Sequence, residues 1–444
     1  MTRKLIFSLL FSLFSTTLFA LPFGSFDARS LAMGGTGVAA GEPSSASHYN
    51  PALLASTYND NDFSLIIPTF TFGPLDLVDL KDTVDAFDNA DYPTVLNTAV
   101  TNFNNSSTAT EISSTATAIA TASQNLLNGI NSLADAASIT IQANVAVLFA
   151  VPNQTLGVSA YTSARIIGGT NIDFTTADTA KIQSYIDVLS CLGKVDPNLS
   201  SGTTAEKAQY ATNVATCYAL SPGVIDSSTG NFTNTDVSNS LTSSVKARGA
   251  FVQETGLSLA HTFPSLYYAS LGITPKSVEV ETFDTSVSIN SASVSTKNSR
   301  KKYSNFNLDF GAVIPFSNNF KVAAVIKNII SKNYETVLGN TISIKPQLRV
   351  GAAFQNEWFV ITTDFDLTRN KSVAFEKDTQ YAAIGAEFDL YDAIQLRLGY
   401  RNNRVSPDKV SSIGLGFSSF VKTDIAIASG KEGYEIGLQL GFAF

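Results

Sequence analysis

Charge is scarce in this chain. Lys, Arg, Asp and Glu make up 15% of its 444 residues, against about 25% in an ordinary soluble protein. What charge there is leans acidic, 29 basic against 37 acidic residues, for a net of −8. That balance excludes the basic footprint that nucleic-acid binding needs. Histidine is nearly absent, with His48 and His261 the only two. Nucleophilic catalysis is therefore short of a general base, and no metal-ligand spacing is present. No catalytic residue, cofactor or metal is expected, and the chain reads as a non-enzyme. Mean hydropathy is +0.11, yet beyond residue 20 no apolar run approaches the roughly 20 residues of a membrane helix.

Apolar side chains are spread instead through short segments with a period of two. The C-terminal stretch is the plainest. Tyr434, Ile436, Leu438, Leu440, Phe442 and Phe444 alternate with Glu435, Gly437, Gln439, Gly441 and Ala443. Alternation puts the two sets on opposite faces of one strand, and the length suits a tilted membrane-crossing strand of about 9–11 residues. This ending resembles the signal that bacterial outer-membrane barrels present to the insertion machinery, which implies that role for Tyr434, Phe442 and Phe444. Similar segments recur from Phe63 onward, at about 139–149, 155–168, 246–262, 266–274 and then regularly from residue 303. Fourteen can be counted, with twelve as the alternative. Long polar connections tend to follow odd-numbered strands and short turns even-numbered ones. The expected fold is all-β with helical insertions: an antiparallel transmembrane β-barrel of about fourteen strands.

Residues 1–20 read as a secretory signal peptide, with Arg3 and Lys4 before an apolar stretch and Ala20 at the cleavage position. Losing Arg3 and Lys4 leaves 27 basic against 37 acidic residues, a net of −10. The expected location is the outer membrane. Next comes a run rich in small residues, with Gly34, Gly35, Gly37 and Gly41 closely spaced. No strand precedes these glycines, so a dinucleotide loop is excluded. Small residues instead suit a compact segment in a confined space.

The run from Arg29 to Ala39, RSLAMGGTGVA, followed by Asn50-Pro51-Ala52, resembles the N-terminal plug of FadL-type outer-membrane proteins. The resemblance implies a fourteen-stranded barrel with a hatch in its lumen, here residues 21–61 inside a barrel of 62–444. Its plug motif would be Gly34, Gly35, Gly37, Asn50, Pro51 and Ala52. It also implies a ligand, long-chain fatty acids or other hydrophobic compounds. In that mechanism the outer loops catch the ligand, and a shift of the plug opens its path. The general texture of the chain also resembles plasmid conjugal-transfer proteins of the TraF type. That likeness implies a structural or assembly role, with envelope or conjugation proteins as partners. Outer-membrane lipid is a partner on either reading. A porin for polar solutes is a third possibility, disfavoured by the plug.

Two insertions, about 75–137 and 169–245, carry helical spacing and are read as extracellular. The second holds both cysteines, Cys191 and Cys217. An oxidising compartment permits a disulfide between them, and two free thiols are the alternative. A polar loop is expected over about 276–302, ending in Arg300, Lys301 and Lys302. The polar strand faces offer Asp309, Arg349, Asp364, Asp366, Glu387, Asp389, Arg397 and Arg401. An Arg or Lys on the lipid face costs about 2–4 kcal/mol at the midplane. These charges should therefore face the lumen, as a paired network or as an entry route for a polar head group. His48 and His261 read as hydrogen-bonded structural residues, and Asp60 and Asp62 as a polar turn.

Overall fold

A computed structural model describes residues 19–20, 23–56, 63–75, 82, 85–87, 89–90, 91–136, 139–234, 240–288, 298–390, 393–418, 420–431 and 433–443. Most of residues 1–20, together with Asp60, Asp62 and Phe444, lies outside these. Fourteen antiparallel strands close a barrel, each paired to its sequence neighbours and the last to the first. In chain order they are β1 (Ser64–Leu75), β2 (Ile139–Val151), β3 (Gly157–Asp173), β4 (Ser244–Phe263), β5 (Ala269–Ser288), β6 (Arg300–Pro315) and β7 (Phe320–Lys327). The second half is β8 (Gln347–Gln355), β9 (Phe359–Asp366), β10 (Tyr381–Leu390), β11 (Ile394–Asn403), β12 (Lys409–Phe417), β13 (Lys422–Gly430) and β14 (Gly433–Ala443).

Alternation sets the two faces. Val145, Phe310, Ile361, Ile384, Leu398 and Ile425 all point outward and are exposed. An apolar belt of this extent would be a severe liability in water. In lipid it is the expected outer surface, because a closed barrel satisfies every strand's backbone internally. No helix among the described residues is long and apolar enough to cross a membrane. The protein is a transmembrane β-barrel.

The seam where β14 meets β1 is irregular. Register shifts fall between Gln439 and Gly441 on β14, and between Ile66 and Thr69 where β1 meets β2. Pro68 lies inside the latter gap. It has no N–H to donate to a ladder, so it sits where pairing is already broken.

Two expectations from sequence need correction. The stretch 276–302 is not all loop, because β5 runs on to Ser288 and β6 begins at Arg300. Here the apolar face has turned inward: Val278 and Val280 are buried against Tyr334, Ile342 and Ile344 of an extra hairpin, Lys332–Glu335 with Thr341–Ile344. The outward positions carry ion pairs, Lys302–Glu279 at 2.9 Å and Arg300–Glu281 at 3.1 Å. A strand with a polar outer face over an apolar inner one resembles a loop when the opposite sense is sought. Second, Arg300, Lys301 and Lys302 start a strand, not a solvated loop end.

Inside the barrel lies the N-terminal plug. Every residue from Asp27 to Ala55 is buried except Glu42. It comprises the short helices α1 (Ala28–Ala32), α2 (Ala46–Tyr49) and α3 (Leu53–Ser56). Outside the barrel, the two long insertions form a helical cap. Its helices are α4 (Tyr92–Asn104), α5 (Ala109–Ala136), α6 (Thr176–Leu192) and α7 (Thr204–Leu220). Leu96, Val100, Ile119, Leu126, Ile182 and Leu189 fill a core of their own. A Cys191–Cys217 disulfide joins α6 to α7, with Cα atoms 5.4 Å apart. N-caps from Thr175 and Thr203 start these two helices.

Candidate functional site

The lumen between plug and wall is the candidate site. Gly34 and Gly35 have φ of +73° and +85°, a region that side chains disfavour. They turn the chain after α1 so that Gly34 lies on β11 and β12, where its N–H donates to Ser412 Oγ at 3.0 Å. Gly37 and Val38 donate their N–H groups to Asp364 Oδ2, at 2.8 and 3.0 Å. Asn50 is wholly buried and binds the plug to the opposite wall. Its Nδ2 donates to Val38 O at 3.0 Å and to Ala312 O at 3.2 Å, while its Oδ1 accepts from Ala52 N at 3.1 Å. Pro51 and Ala52 lie flat on the wall at Gly272, where an added Cβ would fall 2.5 Å from Ala52 N.

The inward charges are mostly consumed in pairing. Arg29 of the plug grips Glu387 with two bonds, of 2.8 and 2.9 Å. Arg397 lies between Glu387 and Asp424, at 2.5 and 2.6 Å. Arg349 reaches Asp366 at 2.5 Å and donates to Gly35 O at 3.1 Å. Asp309 pairs with Lys276 at 3.0 Å. Arg401 pairs with Glu435, and Lys422 with Glu42. Asp389 accepts from Gln395. On β14, Tyr434 is exposed on the outer face and Phe442 stacks edge-on with Phe420.

The histidines differ from one another. His261 Nδ1 meets Thr155 O at 2.5 Å. Among the described residues His48 has no hydrogen bond on its ring, which lies 4.7 Å from both Phe26 and Tyr161, centroid to centroid. The expectation of a hydrogen-bonded ring is corrected there: aromatic packing, not polar pairing, holds it.

One group of side chains was not brought together from sequence, although Arg349 within it was expected to face the lumen. Phe23 and Phe26, at the start of the plug, sit among three cations. Arg349 lies 3.9 Å from the Phe23 centroid, and Lys327 lies 5.3 Å from Phe23 and 4.8 Å from Phe26. Arg165 lies 5.9 Å from Phe26. Lys327 is 5% exposed and donates to His48 O at 2.8 Å. It has no ion pair among the described residues. Nearby Lys276 is shared by Glu254 and Asp309. Lys327 thus lies in one group of charges with Lys276, Arg165, Glu254 and Asp309. A cavity of about 30 Å³ lies between Phe23, Phe26, Arg165, Lys327 and Glu254, room for about one water. The register could have flagged Arg165, which occupies the inward set next to outward Ile166. Nothing local marks Lys327, because its setting depends on the plug.

The sequence profile of a family described as "F plasmid transfer operon, TraF, protein" matches residues 47–366. Among solved structures, the chain is similar to the toluene transporter TbuX of Ralstonia pickettii. Identity is 12%, covering 95% of this chain and 98% of that one, with a TM-score of 0.46. The toluene transporter TodX of Pseudomonas putida is 10% identical over 95% and 99% of the two chains, with a TM-score of 0.42. Curated proteins give no match to the sequence.

Proposed function

This chain belongs to the family described as F plasmid transfer operon, TraF, protein, and we propose that it is a plug-gated conduit of the outer membrane. Its cargo is a hydrophobic compound with a negatively charged head group, a class that includes long-chain fatty acids. Lys327 carries this reading. A buried ammonium without an ion pair is costly, and here it lies against two phenylalanine rings with Arg165 alongside. Cation and aromatics together suit an amphiphilic anion, whose head would meet Lys327 and whose chain would meet Phe23 and Phe26. The cavity holds only about one water, so entry requires the Phe23–Phe26 segment to move.

Lipid extraction and mass spectrometry of the detergent-washed protein, beside Lys327→Gln, test the reading. A stoichiometric anionic amphiphile in the native protein, depleted in the variant, is the expected result. An empty native protein, or equal recovery from both, would count against it.

A second reading is an assembly role in plasmid transfer. The cap favours it, since residues 92–136 and 176–220 hold a core separate from the barrel, closed by a disulfide, and the family match spans both insertions. A mating assay with the gene deleted decides it: normal DNA transfer would remove this role.

A further inference from the structure

At the short-turn end of the barrel, beneath the plug, lies a second chamber of about 240 Å³. It sits at the irregular seam, with Ile66 of β1 and Gln439 and Gly441 of β14 in its wall. Pro152 of the β2–β3 turn and Phe442 near the chain end also border it. In an outer-membrane barrel the short turns and the chain ends face the periplasm.

The lining of this chamber is of two kinds. Ile66, Pro152, Pro43 and Phe442 are apolar. Arg29, Lys321, Lys422, Glu42 and Glu387 are charged. Arg29 is held by Glu387, and Lys422 by Glu42. Lys321 has neither an ion pair nor a side-chain hydrogen bond among the described residues. The lining therefore carries three positive groups against two negative. Gln439, 3% exposed and part of the same wall, leaves its Oε1 without a partner among the described residues.

We propose that this chamber is a periplasmic exit site that receives the carboxylate of an amphiphile at Lys321 and its apolar chain against Ile66, Pro152 and Phe442. The proposal rests on the conduit reading above and adds a second anion station on the far side of the plug. Gln439 Oε1 is an acceptor, so it takes a water or a protonated group and not the anion itself.

Titration calorimetry of the full protein in nonionic detergent tests this, with hexanoate, hexanol and inorganic phosphate as probes. Hexanoate should bind, and hexanol and phosphate should each bind about tenfold or more weakly, because each lacks half of the match. Lys321→Gln should weaken hexanoate by about tenfold, while Lys321→Arg, which keeps the charge, retains binding. Phosphate binding as tightly as hexanoate would overturn the proposal, as would hexanoate binding indifferent to Lys321→Gln. Lys327→Gln separates the two readings. If it alone abolishes hexanoate binding, the exit site fails while the conduit stands. If only the Lys321 variant matters, the exit site stands and the upper station fails.

Discussion

Arg397 sits fully buried between two carboxylates, Glu387 and Asp424, in a wall whose other side faces lipid. Charges this deep lose most of their hydration, so their stability depends on pairing. Replacing Arg397 with Met roughly keeps the volume and strands Asp424, which among the described residues would retain only Gln439 at 3.3 Å. We expect Arg397→Met to cost about 3–5 kcal/mol, read by urea unfolding in detergent. Adding Asp424→Asn should restore most of that loss, since a neutral amide needs no counter-charge. If the double variant is no more stable than the single one, packing and not charge sets the cost. The inward position of such residues could be argued from alternation and the cost of a charge in lipid. Their partners could not. Arg29 and Glu387 lie 358 positions apart, and only the seating of the plug brings them together. For the same reason Lys327 and Lys321 leave no local mark in the sequence.

At the level of elements, the membrane-crossing strands were the most legible, because lipid on one side enforces a strict period of two. Legibility fell where lipid stops. β5 and β6 continue past the apolar belt with their faces exchanged, and the hairpin over Val278 and Val280 cannot be inferred from either strand alone. The cap is held to the barrel by Asp178 near the start of α6. Its Oδ2 accepts from the N–H of Thr242 and of Ser243, both at 2.7 Å, just before β4 begins. Burial pushes this carboxyl up, but the bonds from Ser243 and Thr242 outweigh it and hold the group below its ordinary 3.8. The sign follows from that. The stabilisation is complete above the ordinary value and is lost as pH falls through the lower, folded one. Hydrogen exchange over residues 176–192, corrected for intrinsic rates, should therefore lose protection at the base of α6 below about pH 4. In Asp178→Asn the same protection should be reduced at neutral pH and flat across that range. A wild-type profile as flat as the variant's would mean that Asp178 is not what anchors the cap.

Across the barrel, the outer surface is apolar, and the interior combines the apolar packing of the plug with buried, paired charges. The chamber under the plug is lined by three basic groups against two acidic ones, and the cavity beside the plug holds the buried Lys327, with the plug packed between barrel walls by hydrogen bonds, ion pairs and close backbone contact. An amphiphile led by its head group can cross such an interior only if the plug yields. That requirement can be tested by fixing the plug. A Cβ built on Gly437 of β14 would lie 3.3 Å from Ala28 Cβ in α1, near the 3.5–4.5 Å that a disulfide spans (about 3.8 Å on average). Ala28→Cys with Gly437→Cys should therefore cross-link the plug to the wall. In liposomes, uptake of a long-chain fatty acid should be blocked in the oxidised variant and restored by reductant, while each single variant transports normally. Uptake that continues with the cross-link intact would sink the plug-gated route and leave cargo passing elsewhere. The same oxidised variant in a mating assay separates the two roles. DNA transfer that survives a locked plug would mean that any part played there belongs to the helical cap and not to the lumen.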